Sequence, residues 1–90
     1  MAPAEFALQQ NYPNPFNPST LIHYELPGDV MVRLVVYDIL GREVATLANE
    51  RKQAGKYDVA FNAAALSSGI YVYRMQAGDF VSMKKMLFLK

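Results

Sequence analysis

From Thr20 to Leu26 the chain alternates, with Ile22, Tyr24 and Leu26 on one face and Leu21, His23 and Glu25 on the other. A period of two predicts a half-buried strand. Pro27-Gly28-Asp29 reads as a turn. Val30 to Tyr37 follows, with Val30, Val32, Leu34 and Val36 on a wholly apolar face and Met31, Arg33, Val35 and Tyr37 opposite. Asp38 to Gly41 closes a hairpin, with Gly41 the natural place for positive φ. Arg42 to Leu47 returns, but Val44 and Leu47 have opposite parity, which predicts a bulge or an early strand end. The polar stretch 48–55 reads as a loop. Lys56 to Asn62 alternates again, Tyr57, Val59 and Phe61 pointing inward. Ala63 to Ser68 reads as a crossover loop, Ile70 to Gln76 as a strand and Ala77-Gly78-Asp79 as a tight turn. The final strand, Phe80 to Lys90, alternates poorly: Phe80, Met86 and Phe88 lie on one face, Val81, Met83, Leu87 and Leu89 on the other. Upstream, residues 7–19 carry prolines at 13, 15 and 18, which push Tyr12, Asn14 and Asn17 towards extended conformations. They predict a stiff, polyproline-like entry segment.

Six strands at this spacing, with a seventh available from the entry segment, predict an all-β, immunoglobulin-like antiparallel sandwich of about seven strands. The division expected is a linker and proline-rich entry over residues 1–19 and the sandwich over 20–90. One face per strand assigns Ile22, Tyr24, Val32, Leu34, Val36, Val59, Phe61 and Tyr71 to the core. Ninety residues make one domain that must be dense in apolar side chains, and 52% hydrophobic content meets that need. No apolar run reaches the roughly 20 residues of a membrane-spanning helix. No basic segment followed by an apolar one marks an export signal at the start of the sequence. A net charge of +1 makes nucleic acid an unsuitable partner.

The sequence offers little for catalysis. The absence of cysteine excludes disulfides, thiolate metal sites and cysteine nucleophiles. His23 is the single histidine, on the polar face of a strand, where a solvated surface role is expected. Asp29, Asp38, Asp58 and Asp79 are read as turn residues in preference to calcium ligands. There is no glycine-rich phosphate loop, and Pro18 spoils Asn17-Pro18-Ser19 as a glycosylation acceptor. The expectation is a domain without enzyme activity, cofactor or metal.

Four segments carry a more specific signal: Asn11-Tyr12-Pro13-Asn14-Pro15-Phe16-Asn17-Pro18-Ser19-Thr20; Val36-Tyr37-Asp38-Ile39-Leu40-Gly41-Arg42-Glu43-Val44; Leu66-Ser67-Ser68-Gly69-Ile70-Tyr71-Val72-Tyr73-Arg74; and Lys84-Lys85-Met86-Leu87-Phe88-Leu89-Lys90. In this order, with the last flush with the end of the sequence, they resemble the C-terminal sorting domain of the type IX secretion system. That family in turn resembles the immunoglobulin-like module of the flagellar hook-capping protein. The resemblance implies a module at the end of large secreted proteins of Bacteroidetes. It would direct an upstream passenger through the outer-membrane translocon. A surface sortase would then remove it, and the passenger would be released or attached to anionic lipopolysaccharide.

Each segment also has a physical reading. In the entry, prolines stiffen the chain while Tyr12 and Phe16 are placed to pack back on the sandwich; Asn14, Pro15, Asn17 and Pro18 complete the motif. Asp38 and Gly41 serve the hairpin, and Gly69 with Tyr71 resembles the tyrosine corner of immunoglobulin sandwiches. The last segment, Lys85, Met86, Leu87, Phe88, Leu89 and Lys90, is either a strand buried on both faces or a recognition strand for the secretion machinery. The resemblance favours recognition. The competing function is an adhesive or carbohydrate-binding accessory module of a secreted glycoside hydrolase. It needs coplanar exposed aromatics, and parity puts Tyr12, Tyr37 and Tyr73 on no single face.

Overall fold

The computed structural model describes residues 2–90, Met1 lying outside them. The chain is all-β. Its seven strands are β1 (Ala7–Leu8), β2 (Ser19–Leu26), β3 (Val30–Tyr37), β4 (Glu43–Lys52), β5 (Gly55–Asn62), β6 (Gly69–Ala77) and β7 (Phe80–Phe88). They form two antiparallel sheets, one ordered β1-β2-β5 and the other β4-β3-β6-β7. The inner faces meet in a single core that includes Ile22, Tyr24, Leu26, Val32, Leu34, Val36, Phe61, Tyr71, Tyr73, Met75 and Phe88. Seven of the eight residues assigned to the core by alternation are buried there, and Val59 is half-buried against it. Each fully buried aliphatic or Phe side chain contributes about 1.5–3 kcal/mol, which is how so short a chain holds together.

The structure differs from the sequence reading, or decides between its alternatives, in five places. β4 does not stop at Leu47: Asn49, Glu50, Arg51 and Lys52 keep pairing with β3 as far as Val30↔Lys52. These residues lie on a sheet edge, where backbone pairing persists without apolar side chains to signal it. The bulge is present, and it is double. Leu34 pairs with Ala48 but Val35 with Thr46, skipping Leu47; Val36 pairs with Ala45 but Tyr37 with Glu43, skipping Val44. Two bulges reverse parity twice, so Val44 and Leu47 both pack against the core despite their spacing.

Second, β7 is not buried on both faces. Met86 and Phe88 are buried, but Val81, Met83 and Leu89 are 48%, 58% and 49% exposed. Third, Asp58 lies mid-strand in β5, opposite His23. Fourth, His23 is not simply solvated: Nδ1 bonds Asp58 Oδ1 at 2.8 Å and Nε2 bonds Glu25 Oε2 at 2.7 Å. Fifth, the entry segment is not polyproline-like. It bends at residues 13–15 and 17–18, with its three X–Pro bonds cis. Phe16 packs into the core, but Tyr12 is 81% exposed because its backbone, and not its ring, bridges to Leu21.

Candidate functional site

Residues 85–90 sit where the entry segment crosses the free edge of β7. On its other side β7 pairs with β6, placing Met86 opposite Tyr71 and Phe88 opposite Gly69. Alternation turns Met86 and Phe88 into the core and leaves Lys85 exposed, Leu87 half-buried, and Leu89 and Lys90 exposed just beyond the strand. Lys90 is held by its backbone N–H, which donates to Ser68 Oγ at 2.9 Å.

Four outward backbone groups of this stretch are already occupied. Gln10 Nε2 donates to Lys85 O (2.6 Å), Leu87 N–H donates to Asn14 Oδ1 (3.0 Å), Phe16 N–H donates to Leu87 O (3.0 Å) and Leu89 N–H donates to Phe16 O (3.1 Å). Phe16 and Phe88 stack with centroids 5.3 Å apart, and Phe16 also meets Phe61 at 6.1 Å. The entry segment is therefore a strap, parallel to β7 at Phe16 and joined to it by backbone bonds and by aromatic packing. Farther up, Phe6 stacks on Phe80 at 5.2 Å.

A buried polar network fixes the strap in turn. Tyr73 donates its hydroxyl to Gln9 O (2.6 Å) and accepts from Asn11 N–H (2.8 Å). Asn11 Nδ2 donates to Pro13 O and to Thr20 Oγ1, both at 3.1 Å, and Thr20 Oγ1 donates to Pro13 O at 2.8 Å. Asn11 and Thr20 are each 2% exposed, and among the described residues no buried side-chain polar atom lacks a partner. Burial pushes the Tyr73 phenol up to about 12, so the hydroxyl stays protonated and keeps donating.

The remaining motif residues surround this arrangement. Pro15, Asn17 and Pro18 are exposed, and Pro18 O accepts from Ala63 N–H at 2.9 Å, tying the strap to the crossover loop. Tyr71 donates its hydroxyl to Ser67 O at 2.7 Å, a corner that fixes the start of β6. In the β3–β4 hairpin Asp38 Oδ1 accepts from Leu40 and Arg42 N–H, while Oδ2 receives Arg42 Nε at 2.7 Å. The Arg42 backbone amide is the first cause holding the Asp38 carboxyl below its usual range. Gly41 has φ +81°, in the left-handed region.

Gln10, Asn11, Thr20 and Tyr73 are the contributors that sequence reasoning missed. Tyr73 had a signal, since it shares parity with Tyr71 and Met75 on the inner face of β6. Asn11 and Thr20 lie at the ends of the first of the four motif segments, but nothing local marks their side chains as buried, and the Gln10 partner Lys85 is 75 positions away. Burial of Tyr73 also removes it from any exposed aromatic platform, leaving Tyr12 exposed and Tyr37 half-buried.

The comparisons with known proteins agree with this layout. The family model described as a secretion system C-terminal sorting domain matches residues 10–89, which takes in the strap and β7 together. No curated protein and no solved structure matches the chain.

Proposed function

We propose, for a chain that belongs to the family of secretion system C-terminal sorting domains, that the side chains of residues 85–90 are what the type IX machinery reads. The chain is a C-terminal sorting signal of that system, and proteins bearing such a tail are exported through the outer membrane to the cell surface or released. It works together with the secretion machinery and a passenger protein.

The observation that carries the proposal is the division of labour along β7. Met86 and Phe88 anchor the strand in the core, so Lys85, Leu87, Leu89 and Lys90 are presented outward at fixed positions. Strand addition along this edge is disfavoured, because the strap already bonds Lys85 O, Leu87 N–H and O, and Leu89 N–H. Recognition is then by side chains. In the same reading the outer-membrane translocon engages this face, a surface sortase removes the domain, and the passenger is released or joined to anionic lipopolysaccharide. The chain performs no catalysis in this scheme.

The test is a reporter bearing an export signal and fused to the whole chain, expressed in a host with the type IX system. The wild-type fusion is expected at the surface or in the medium. Lys85→Ala with Lys90→Ala is expected to leave a folded fusion in the periplasm, since exposed lysines contribute little to folding. Equal secretion of the two would overturn the role of this face.

A further inference from the structure

We infer that the docking surface extends beyond β7 onto the tip of the β3–β4 hairpin and the start of β6, and that it receives an acidic, apolar-bearing protein surface. This rests on the sorting reading above and enlarges its site. Ile39 and Leu40 are 74% and 73% exposed, Met83 58% and Ile70 48%. Single exposed aliphatics are ordinary, but neighbouring ones that share concavities mark interaction sites.

These residues do share concavities. Ile39 and Leu40 line one with Ile70, across the Ser67–Gly69 loop. Ile39 lines a second with Val72, Arg74 and Met83. Ile70 lines a third with Asn14, Lys85 and Leu87. The aliphatics thus form one track from Leu87 through Ile70 and the hairpin tip to Met83. The tip is held in place by the Asp38 bonds to Leu40, Arg42 and the Arg42 side chain, so its two exposed aliphatics are displayed on a fixed turn.

Charge selects the occupant. Arg74 and Lys85 stand on this face, and neither has a salt-bridge partner among the described residues. The carboxylates that could neutralise them are engaged: Asp38 with Arg42 and Glu43 with Arg33, each at 2.7 Å. A face with aliphatic dimples and two uncompensated cations complements a partner with apolar knobs and carboxylates. Three separate concavities suit discrete side chains of a protein better than the continuous surface of a bilayer.

The same whole-chain reporter tests this with two variants. Ile39→Ser, Leu40→Ser and Ile70→Ser together should lower the secreted fraction by about tenfold or more, as loss of well-buried interface anchors does. The melting temperature should hold, because these side chains are exposed. Arg74→Glu alone, which leaves Lys85 and Lys90 in place, should lower secretion similarly, through repulsion of an acidic partner. Wild-type secretion of the triple serine variant would overturn the enlarged surface, and wild-type secretion of the charge-reversed variant would overturn the acidic partner. If Lys85→Ala with Lys90→Ala still blocks export in either case, the sorting reading survives and only this inference fails. The purified domain is also mixed with phosphatidylglycerol vesicles: sedimentation lost in the triple serine variant would assign the track to lipid and overturn a protein partner, whereas no sedimentation supports it.

Discussion

At the scale of single residues, a few hydroxyls and one imidazole hold positions that hydrophobic patterning does not describe. Tyr71 is inward on β6, and its hydroxyl reaches back to Ser67 O. Tyr71→Phe keeps the ring and leaves that carbonyl without its donor. A loss of about 1–3 kcal/mol is expected by chemical denaturation; an unchanged midpoint would mean that water replaces the bond at no penalty. His23 has its two ring nitrogens on two carboxylates, Glu25 along β2 and Asp58 across on β5. A neutral ring has one nitrogen without a proton, so it satisfies only one of them. The bond to Glu25, then that to Asp58, raises the His23 pKa above 6.5. Among the described strand residues, the other charged group on this face of the sheet is Lys56, opposite Glu25, while β1 contributes the uncharged Ala7 there. A raised pKa means that the native state binds the proton more tightly. Its stabilisation is complete below the unfolded value and is lost as pH rises through the folded one. Stability should therefore decline as pH rises from about 6.5 through the raised folded value, and His23→Gln should flatten that decline. A wild-type melting curve insensitive to pH over that range would contradict the bridge.

At the scale of elements, β2 and β5 were legible because each buries one face and leaves the other more exposed, and β3 was legible by its wholly apolar face, although Val35 on its opposite face is buried as well. Ile22, Tyr24 and Leu26 show the pattern directly. The bulges in β4 were legible as a parity fault between Val44 and Leu47. Its extension to Lys52 was not, because an edge strand needs only backbone pairing and Asn49, Glu50 and Arg51 there face water. The strap was the least legible element. Its composition announced stiffness, but Asn14 and Leu87 are 73 positions apart and nothing local records their bond. Asn14→Ala removes the acceptor for Leu87 N–H and leaves the Phe16 stacking in place. Hydrogen exchange at Leu87 should accelerate, while amides of β2 and β3 stay protected at the global level. Exchange at Leu87 as slow as in wild type would show that the strap does not depend on this side chain.

At the scale of the whole molecule, the strap and β7 complete one core, and this decides how the sorting face can be probed. Phe88 is fully buried, stacks on Phe16, and lies beside the bridge that ties residues 87–89 to the strap. Deleting Leu87 to Lys90 removes Phe88 from the core, along with three of the four bonds that join residues 85–89 to the strap. Loss of a buried Phe side chain alone costs about 3–5 kcal/mol. Total stability for a domain of this size is of order 5–10 kcal/mol, so the deletion spends much of it. The truncated chain should melt far below wild type or fail to fold, and lost export would then report instability as much as lost recognition. Lys85→Ala with Lys90→Ala touches none of these contacts. Its melting temperature should match wild type within the small effect of surface charges, about 0–1 kcal/mol. Thermal melts followed by circular dichroism should thus show a large drop for the deletion and almost none for the double substitution. A deletion variant that melts like wild type would mean that Phe88 and the strap contribute little to the core, against the burial and stacking seen here.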